Sequence, residues 1–571
     1  MRFAARRAVP AVLAVLLAGG CATVPESSDV VVVRSVPAAQ SPVAPGPSPG
    51  ASPFQLVRDF IEATGNPEKG HAAARAFLTR QAAAEWDDSQ GLTVIEDSPD
   101  TLVTGPGEPT GTRSVVVRAT TIGTVGPEGS FVPNAGQVTR RLDLVRENGE
   151  WRITDPPPGV LVESSAFQQN YRQFRVFYVD PERGTLVPDV RWVAAQPEQA
   201  LPGRVLDLLL GGPSERLAGA VVSVLPEGAR LRSTVLVDSQ GRTVIDLAGV
   251  GELSEADRRL AAAQLVATLD GLVPPPLRLL ADGQPLVPGK PDWRTADIAQ
   301  ATSGADPGPD VPGLVVHGGR LRNLDGAPVD GPAGSGRLRV LSAALSSPGG
   351  ERLATVVGGP DRRPQLRVGR TGGVMTTVAL NARSMTRPTW RPSGTEVWTV
   401  LDGSTVTGVA LSESGEPTTY RVDARELAEL GPITDLRLSR DGIKVAAVVG
   451  GRVLVATVVV TPEGVSLRHP RVLRETSLPP AVGVDWARAD LLEVASSEPT
   501  PQVSEVSVDG AVYRSLSSTN LTAPLTAIVA APGREAVVSD ANGLWAYSES
   551  QEVWEPLLGG IGPGAVPVYP G

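Results

Sequence analysis

A turn-like tetrapeptide recurs five times in the C-terminal half of this 571-residue chain, and nothing else in the sequence restricts the fold as tightly. The first three copies are Ser347-Pro348-Gly349-Gly350, Arg391-Pro392-Ser393-Gly394 and Ser439-Arg440-Asp441-Gly442. Degenerate copies follow at Ala487-Arg488-Ala489-Asp490 and Ala531-Pro532-Gly533-Arg534. Counted at the fourth residue, the intervals are 44, 48, 48 and 44 residues. Apolar strands flank each tag, as in Lys444 to Val449, the turn Gly450-Gly451, and Arg452 to Val458. A period of about 45 residues accommodates four short strands, which is one blade of a β-propeller. The stretch 310–571 then holds about six blades, with strands between 314 and 341 closing the ring. Trp390, Trp398, Trp486, Trp545 and Trp554 fall in this region and read as blade packing rather than a ligand-stacking platform.

Two smaller units precede the repeats. In residues 52–165, Ser52 offers a helix N-cap with Pro53 at the first helical position, and Phe54, Val57, Phe60 and Ile61 share one face. A second helical pattern covers about 68–86. Strands follow at Leu92 to Ile95, Ser114 to Arg118, Arg140 to Val145 and Gly149 to Ile153, and Pro156-Pro157-Pro158 is expected to end the unit. Two helices followed by a curved antiparallel sheet resemble the small α+β folds of the nuclear-transport-factor-two (NTF2-like) type.

Residues 166–300 alternate strands and helices. Strands are expected at Phe174 to Val179, Val190 to Ala194, Thr234 to Val237, Thr243 to Leu247 and from Leu277, with helices at about Leu201 to Leu210 and after Ser254. Ser254 with Asp257 gives a capping-box variant, and Ala261, Leu265 and Leu269 form a buried stripe. The alternation implies a compact α/β layer with helices on one sheet face. Four motifs occur here in order: Leu208-Leu209-Leu210-Gly211-Gly212-Pro213, Val224-Leu225-Pro226-Glu227-Gly228, Val244-Ile245-Asp246-Leu247 and Gln264-Leu265-Val266-Ala267-Thr268-Leu269. Together they resemble the GerMN module of spore-germination and cell-envelope proteins. Asp246 and Gln264 read as a strand-end cap and a packing or hydrogen-bonding residue, since neither a base nor a metal accompanies them.

The N-terminus has the layout of an export signal. Arg2, Arg6 and Arg7 precede an apolar run over residues 8–18. Eleven residues rise only about 16 Å as a helix, roughly half a bilayer's hydrocarbon thickness. Leu17-Ala18-Gly19-Gly20 leads to Cys21, the one cysteine of the chain. This reads as a lipobox, although the strictest form of that motif has a large aliphatic residue where Ala18 stands. Cleavage between Gly20 and Cys21 would remove a 1–20 signal peptide, and Cys21 would carry an S-diacylglycerol and an N-acyl (palmitate-type) chain. At about 0.8 kcal/mol per buried methylene, two or three acyl chains anchor a protein durably to a membrane. Residues 21–51, ending Ala44-Pro45-Gly46-Pro47-Ser48-Pro49-Gly50, read as a Pro/Ser-rich tether.

With Cys21 committed to lipid, no thiol remains for disulfides, zinc or nucleophilic catalysis. A formal net charge of -10 with dispersed charges carries no basic tract of the kind that tracks nucleic acid. His71, His317 and His469 lie in separate units or distant repeats, so neither a metal cluster nor a Ser-His-Asp triad has its parts. No catalytic residue, cofactor or metal is expected. The order of lipobox, tether, α+β unit, GerMN-like unit and degenerate propeller resembles the actinobacterial lipoprotein LpqB family. The resemblance implies a lipid-anchored accessory protein on the extracytoplasmic face of the cell membrane. It also implies association with the sensor histidine kinase MtrB of a two-component system, and a part in cell-envelope processes. A cell-wall glycan or peptidoglycan-fragment binder, marked by an exposed aromatic groove, is the first alternative. A propeller-type hydrolase, marked by a serine or carboxylate pair in the central channel, is the second.

Overall fold

The computed structural model describes residues 46–104, 111–302, 307–308, 310–347, 349–558 and 561–571. Its first elements are the helix Pro53–Thr64, started by Ser52 accepting from the Gln55 N–H, and the helices Glu68–Arg75 and Arg80–Glu85. The expected second helix is broken at 76–79, where Thr79 caps a new start. Val57, Phe60 and Ile61 are buried as expected, but Phe54 in the first turn is exposed, under the Arg58 guanidinium, and Leu56 fills the core instead.

These helices cover a curved sheet ordered Glu150–Ile153, Phe131–Glu147, Thr112–Val125, Leu92–Ile95 and Val160–Glu163, with Asp100–Thr104 also pairing with Thr112–Val125. The prolines at 156–158 do not end the sheet. Beyond them Val160–Glu163 returns to pair in parallel with Leu92–Ile95, because its buried Val160 and Val162 join the same apolar core.

In the middle unit the strands divide between two sheets rather than forming one layer. Tyr171–Val179 and Leu186–Ala194 make a two-stranded hairpin. Thr243–Ala248 and Leu277–Ala281 run parallel at the centre of a second sheet. The helix Glu255–Leu269 explains the division. Its Gln264 Nε2 donates to the Phe177 carbonyl at 2.9 Å, and its Thr268 Oγ1 accepts from the Phe177 N–H at 3.1 Å. Four residues apart, these side chains face the same way and occupy the edge groups a neighbouring strand would have used. Ala261, Leu265 and Leu269 are fully buried beneath them. Ser254 caps this helix through the Asp257 N–H.

Five four-stranded antiparallel sheets then follow in chain order from Val340–Leu345 to Val553–Pro556. A three-stranded sheet combines Leu314–His317 and Arg320–Asn323 with Val566–Val568 from the far end of the domain, a pairing that closes a propeller and removes its open edges. All five tags lie at the turn between the first and second strands of a sheet. Gly350, Gly394 and Gly442 there have φ of 66°, 67° and 73°, a left-handed conformation that glycine adopts without steric cost. A Cβ on Gly442 would also lie 2.8 Å from Pro392 Cδ of the preceding tag. Trp390, Trp398, Trp486 and Trp554 are fully buried between sheets, and Trp545 is half-buried. The indoles of Trp390 and Trp486 donate to Ala344 and Arg437 carbonyls of the preceding sheet, 46 and 49 residues back.

Candidate functional site

Gly20 and Cys21 lie outside the described residues. Asp246 sits inside Thr243–Ala248, where Oδ1 accepts from the Gly283 N–H at 3.0 Å and Oδ2 lies 3.4 Å from Arg232. Gln264 is a buried clamp, its Oε1 accepting from the Val224 N–H as its amide holds Phe177. The three histidines lie on different elements of the fold. His71 Nδ1 lies 2.9 Å from Asp88 Oδ2, His317 ends the strand Leu314–His317, and His469 lies in Gly464–Val472. Among the described residues no three His, Cys, Asp or Glu side chains gather as a metal site. No helix of the described residues is long and apolar enough to cross a membrane.

What the structure assembles instead is a junction on the strand Leu186–Ala194, whose residues are buried through Val193. Alternation sends its side chains two ways. Val190 enters an apolar cluster of the propeller with Val448, Trp486 and Val508. Trp192 joins the core of the first domain, 4.6 Å from the Phe167 ring. Its indole N–H also donates to Asp509 Oδ2 of the propeller at 2.8 Å. One side chain thus touches all three domains. On the other face, Arg191 donates to Asp189 Oδ2 at 2.7 Å, to the Gly212 carbonyl at 3.1 Å, and to the Glu128 carbonyl of the first domain at 2.6 Å. Asp189 also accepts from the Ser214 hydroxyl and N–H. Both charges are almost wholly enclosed, so removing either would leave the other buried without an opposite charge.

The first strands of neighbouring propeller sheets and the residues that flank them contribute a second buried cluster. Arg387 lies 3.3 Å from Asp435 and 3.9 Å from Asp485, and Arg437 lies 3.4 Å from Asp485. Arg437 further donates to the carbonyls of Pro388 and Gly571, and Arg440 to that of Ala530. Burial alone would raise the Asp485 carboxyl, but the charges of Arg437, Arg387 and Arg440 outweigh it and hold that group below the usual range. It is an ionised structural partner, not a proton donor.

Glu493 faces Asp485 across the next strand pair and Glu505 across the one after. Burial first, and then the charges of Glu505 and Asp485, push its carboxyl up to about 8. A raised acid beside a carboxylate is the raw material of acid–base catalysis. Here the carboxylate is held by guanidinium groups and the acid is 7% exposed inside the sheet, so the pair has no surface on which to meet a substrate. The exposed large apolar side chains among the described residues are aliphatic apart from Phe54.

Sequence reasoning places a strand at Val190 to Ala194 but misses its role. The available signal is Asp189 and Arg191 in a run otherwise of Val, Pro and Trp, an ion pair two residues apart on one face.

Comparisons with known proteins match three stretches in chain order. Residues 46–168 match the model described as Lipoprotein LpqB, N-terminal domain. Residues 175–287 match Sporulation and spore germination, and residues 317–570 match Lipoprotein LpqB beta-propeller domain. The protein called Lipoprotein LpqB from Rhodococcus jostii (strain RHA1) is 33% identical over 588 residues, covering 98% of this chain and 97% of its own. That of Nocardia farcinica (strain IFM 10152) is 32% identical over 599 residues, covering 99% and 97%. That of Mycolicibacterium smegmatis (strain ATCC 700084 / mc(2)155) is 33% identical over 582 residues, covering 98% of each. Among solved structures, the Cps50 (Swd1) beta-propeller domain of Myceliophteria thermophila is similar at a TM-score of 0.28 with 12% identity, covering 37% of this chain and 66% of that one.

Proposed function

The chain belongs to the lipoprotein LpqB family, and from that membership we propose that it is a lipid-anchored binding protein of the extracytoplasmic membrane face that catalyses no reaction. Cys21 carries the lipid, residues 21–51 space the body from the membrane, and the body comprises an NTF2-like domain (52–165), a GerMN-like domain (166–300) and a propeller (310–571). The six sheets of the propeller are six blades, the three-stranded one being the closure. The partner is the extracytoplasmic domain of a sensor histidine kinase of the MtrB type, through which the protein modulates a two-component system and cell-envelope processes.

The observation that carries this reading is the junction strand. It welds three domains into one body, so contact on any face is felt by the whole, while the titratable clusters inside are committed to structure. A signal passes when this body binds one kinase state more tightly than the other. The test is calorimetric titration of the mature chain with the purified kinase ectodomain. Saturable binding of stated stoichiometry supports the proposal, and no binding at concentrations up to about 100 μM, weaker than roughly 5 kcal/mol, overturns it.

A further inference from the structure

The first domain holds a partly open cavity of about 360 Å³ whose lining includes none of the junction residues named above. Its walls are mostly apolar, with Phe60 and Ile61 from the first helix and Leu92, Leu142 and Val160 from the sheet, and Thr64, Gln90, Thr93 and Thr124 add neutral polar groups. Among the residues that line it there is no Asp, Glu, Lys or His, and one charged side chain, Arg140. The position of that arginine is unusual. On the strand Phe131–Glu147, Val138, Leu142 and Leu144 are buried in the core and share a face with Arg140 by alternation. Arg140 pairs across the sheet with Val117, which is also core. A guanidinium thus stands on the inward apolar face and stays exposed at the cavity, and among the described residues it makes no ion pair. An apolar chamber with one uncompensated cation selects a molecule with an apolar body and one negative group.

The volume sets the size. At about 30 Å³ per small group, the chamber holds roughly a dozen non-hydrogen atoms, enough for one medium acyl chain and too few for the two chains of a bilayer lipid. We propose that this cavity binds a single-chain anionic amphiphile, with the chain against Phe60, Leu92 and Leu142 and the carboxylate or phosphate head on Arg140. A free fatty acid and a single-chain phospholipid share this chemistry.

The test is calorimetric titration of the full mature chain in its Cys21→Ala form, which needs no competing detergent, with dodecanoate and with dodecyltrimethylammonium. Dodecanoate is expected to bind one-to-one, at least about tenfold tighter than the cation of equal chain length. Arg140→Gln should remove about that factor for dodecanoate and leave dodecanol binding unchanged, and Arg140→Glu should reverse the preference between the charged probes. Dodecanoyl-lysophosphatidylglycerol binding tighter than dodecanoate identifies a membrane lipid as the source, and the reverse order a free acid; either order supports the site. Equal binding of the two charged probes, or dodecanoate affinity untouched by Arg140→Gln, overturns it.

Discussion

Replacing Glu493 by glutamine should stabilise the propeller by an amount that grows with pH. In the folded chain this carboxyl is buried between Asp485 and Glu505, one oxygen lacks a hydrogen-bond partner, and burial and like charge raise its pKa from 4.5 to about 8. The folded state therefore keeps a proton that the unfolded chain releases above pH 4.5. Stability from this group is complete below that pH, is lost as pH rises, and is gone above about pH 8. At about 1.36 kcal/mol per pH unit, the span from 4.5 to about 8 corresponds to about 5 kcal/mol. A glutamine side chain is neutral at every pH and contributes no such loss. Urea unfolding of the wild-type and Glu493→Gln chains from about pH 5 to 9, followed by tryptophan fluorescence, should show unfolding free energies that coincide at the acid end and diverge by up to that amount at the alkaline end. The buried Trp486 beside Asp485 places a reporter in the same sheet. Parallel curves across the range, or a mutant that loses stability faster with rising pH, would show that Glu493 does not hold the proton.

Three further substitutions test the assembly of the fold. Trp192→Phe keeps the ring contact with Phe167 but deletes the donor to Asp509, which is fully buried; a loss of about 2 kcal/mol is expected, with faster amide exchange at 186–194 and 505–512 as the readout. Arg191→Ala leaves Asp189 charged in a closed site and should cost about 3–5 kcal/mol by denaturant unfolding, whereas the Asp189→Ala/Arg191→Ala double variant should recover part of that loss. Gln264→Leu leaves the Phe177 carbonyl and the Val224 N–H without partners, and should lower stability by about 2–4 kcal/mol, measured by thermal unfolding of the full chain.

Elements whose cause is local are legible in the sequence. Ser52 and Ser254 cap helices where a hydroxyl before an apolar stripe predicts them. The propeller tags mark turns because a left-handed residue is needed there, and Gly350, Gly394 and Gly442 supply it at nearly regular spacing. Gln264 reads as a packing or hydrogen-bonding residue in the sequence, and it is a hydrogen-bonding one in the fold. Features whose partners are remote are not legible. Trp192 meets Asp509 across 317 residues, and no local pattern marks a strand buried by two other domains. Asp189 and Arg191 interrupt the apolar run, and nothing local shows that in the fold each charge neutralises the other. The division of the middle sheet depends on Gln264 and Thr268 satisfying a strand edge from the side, a role that helix periodicity does not distinguish from packing. In the sequence Arg140 marks only the start of an expected strand. Only the closure of the helices over the sheet turns its face into the wall of a chamber.

The proposed membrane anchor through Cys21 is put to the test by the intact mass and membrane partitioning of the exported protein beside a Cys21→Ala variant. The wild-type mass should lack residues 1–20 and be raised by a diacylglycerol, and the protein should sediment with membranes, while the variant is released or left unprocessed. An unmodified, soluble product from both chains would contradict the anchor.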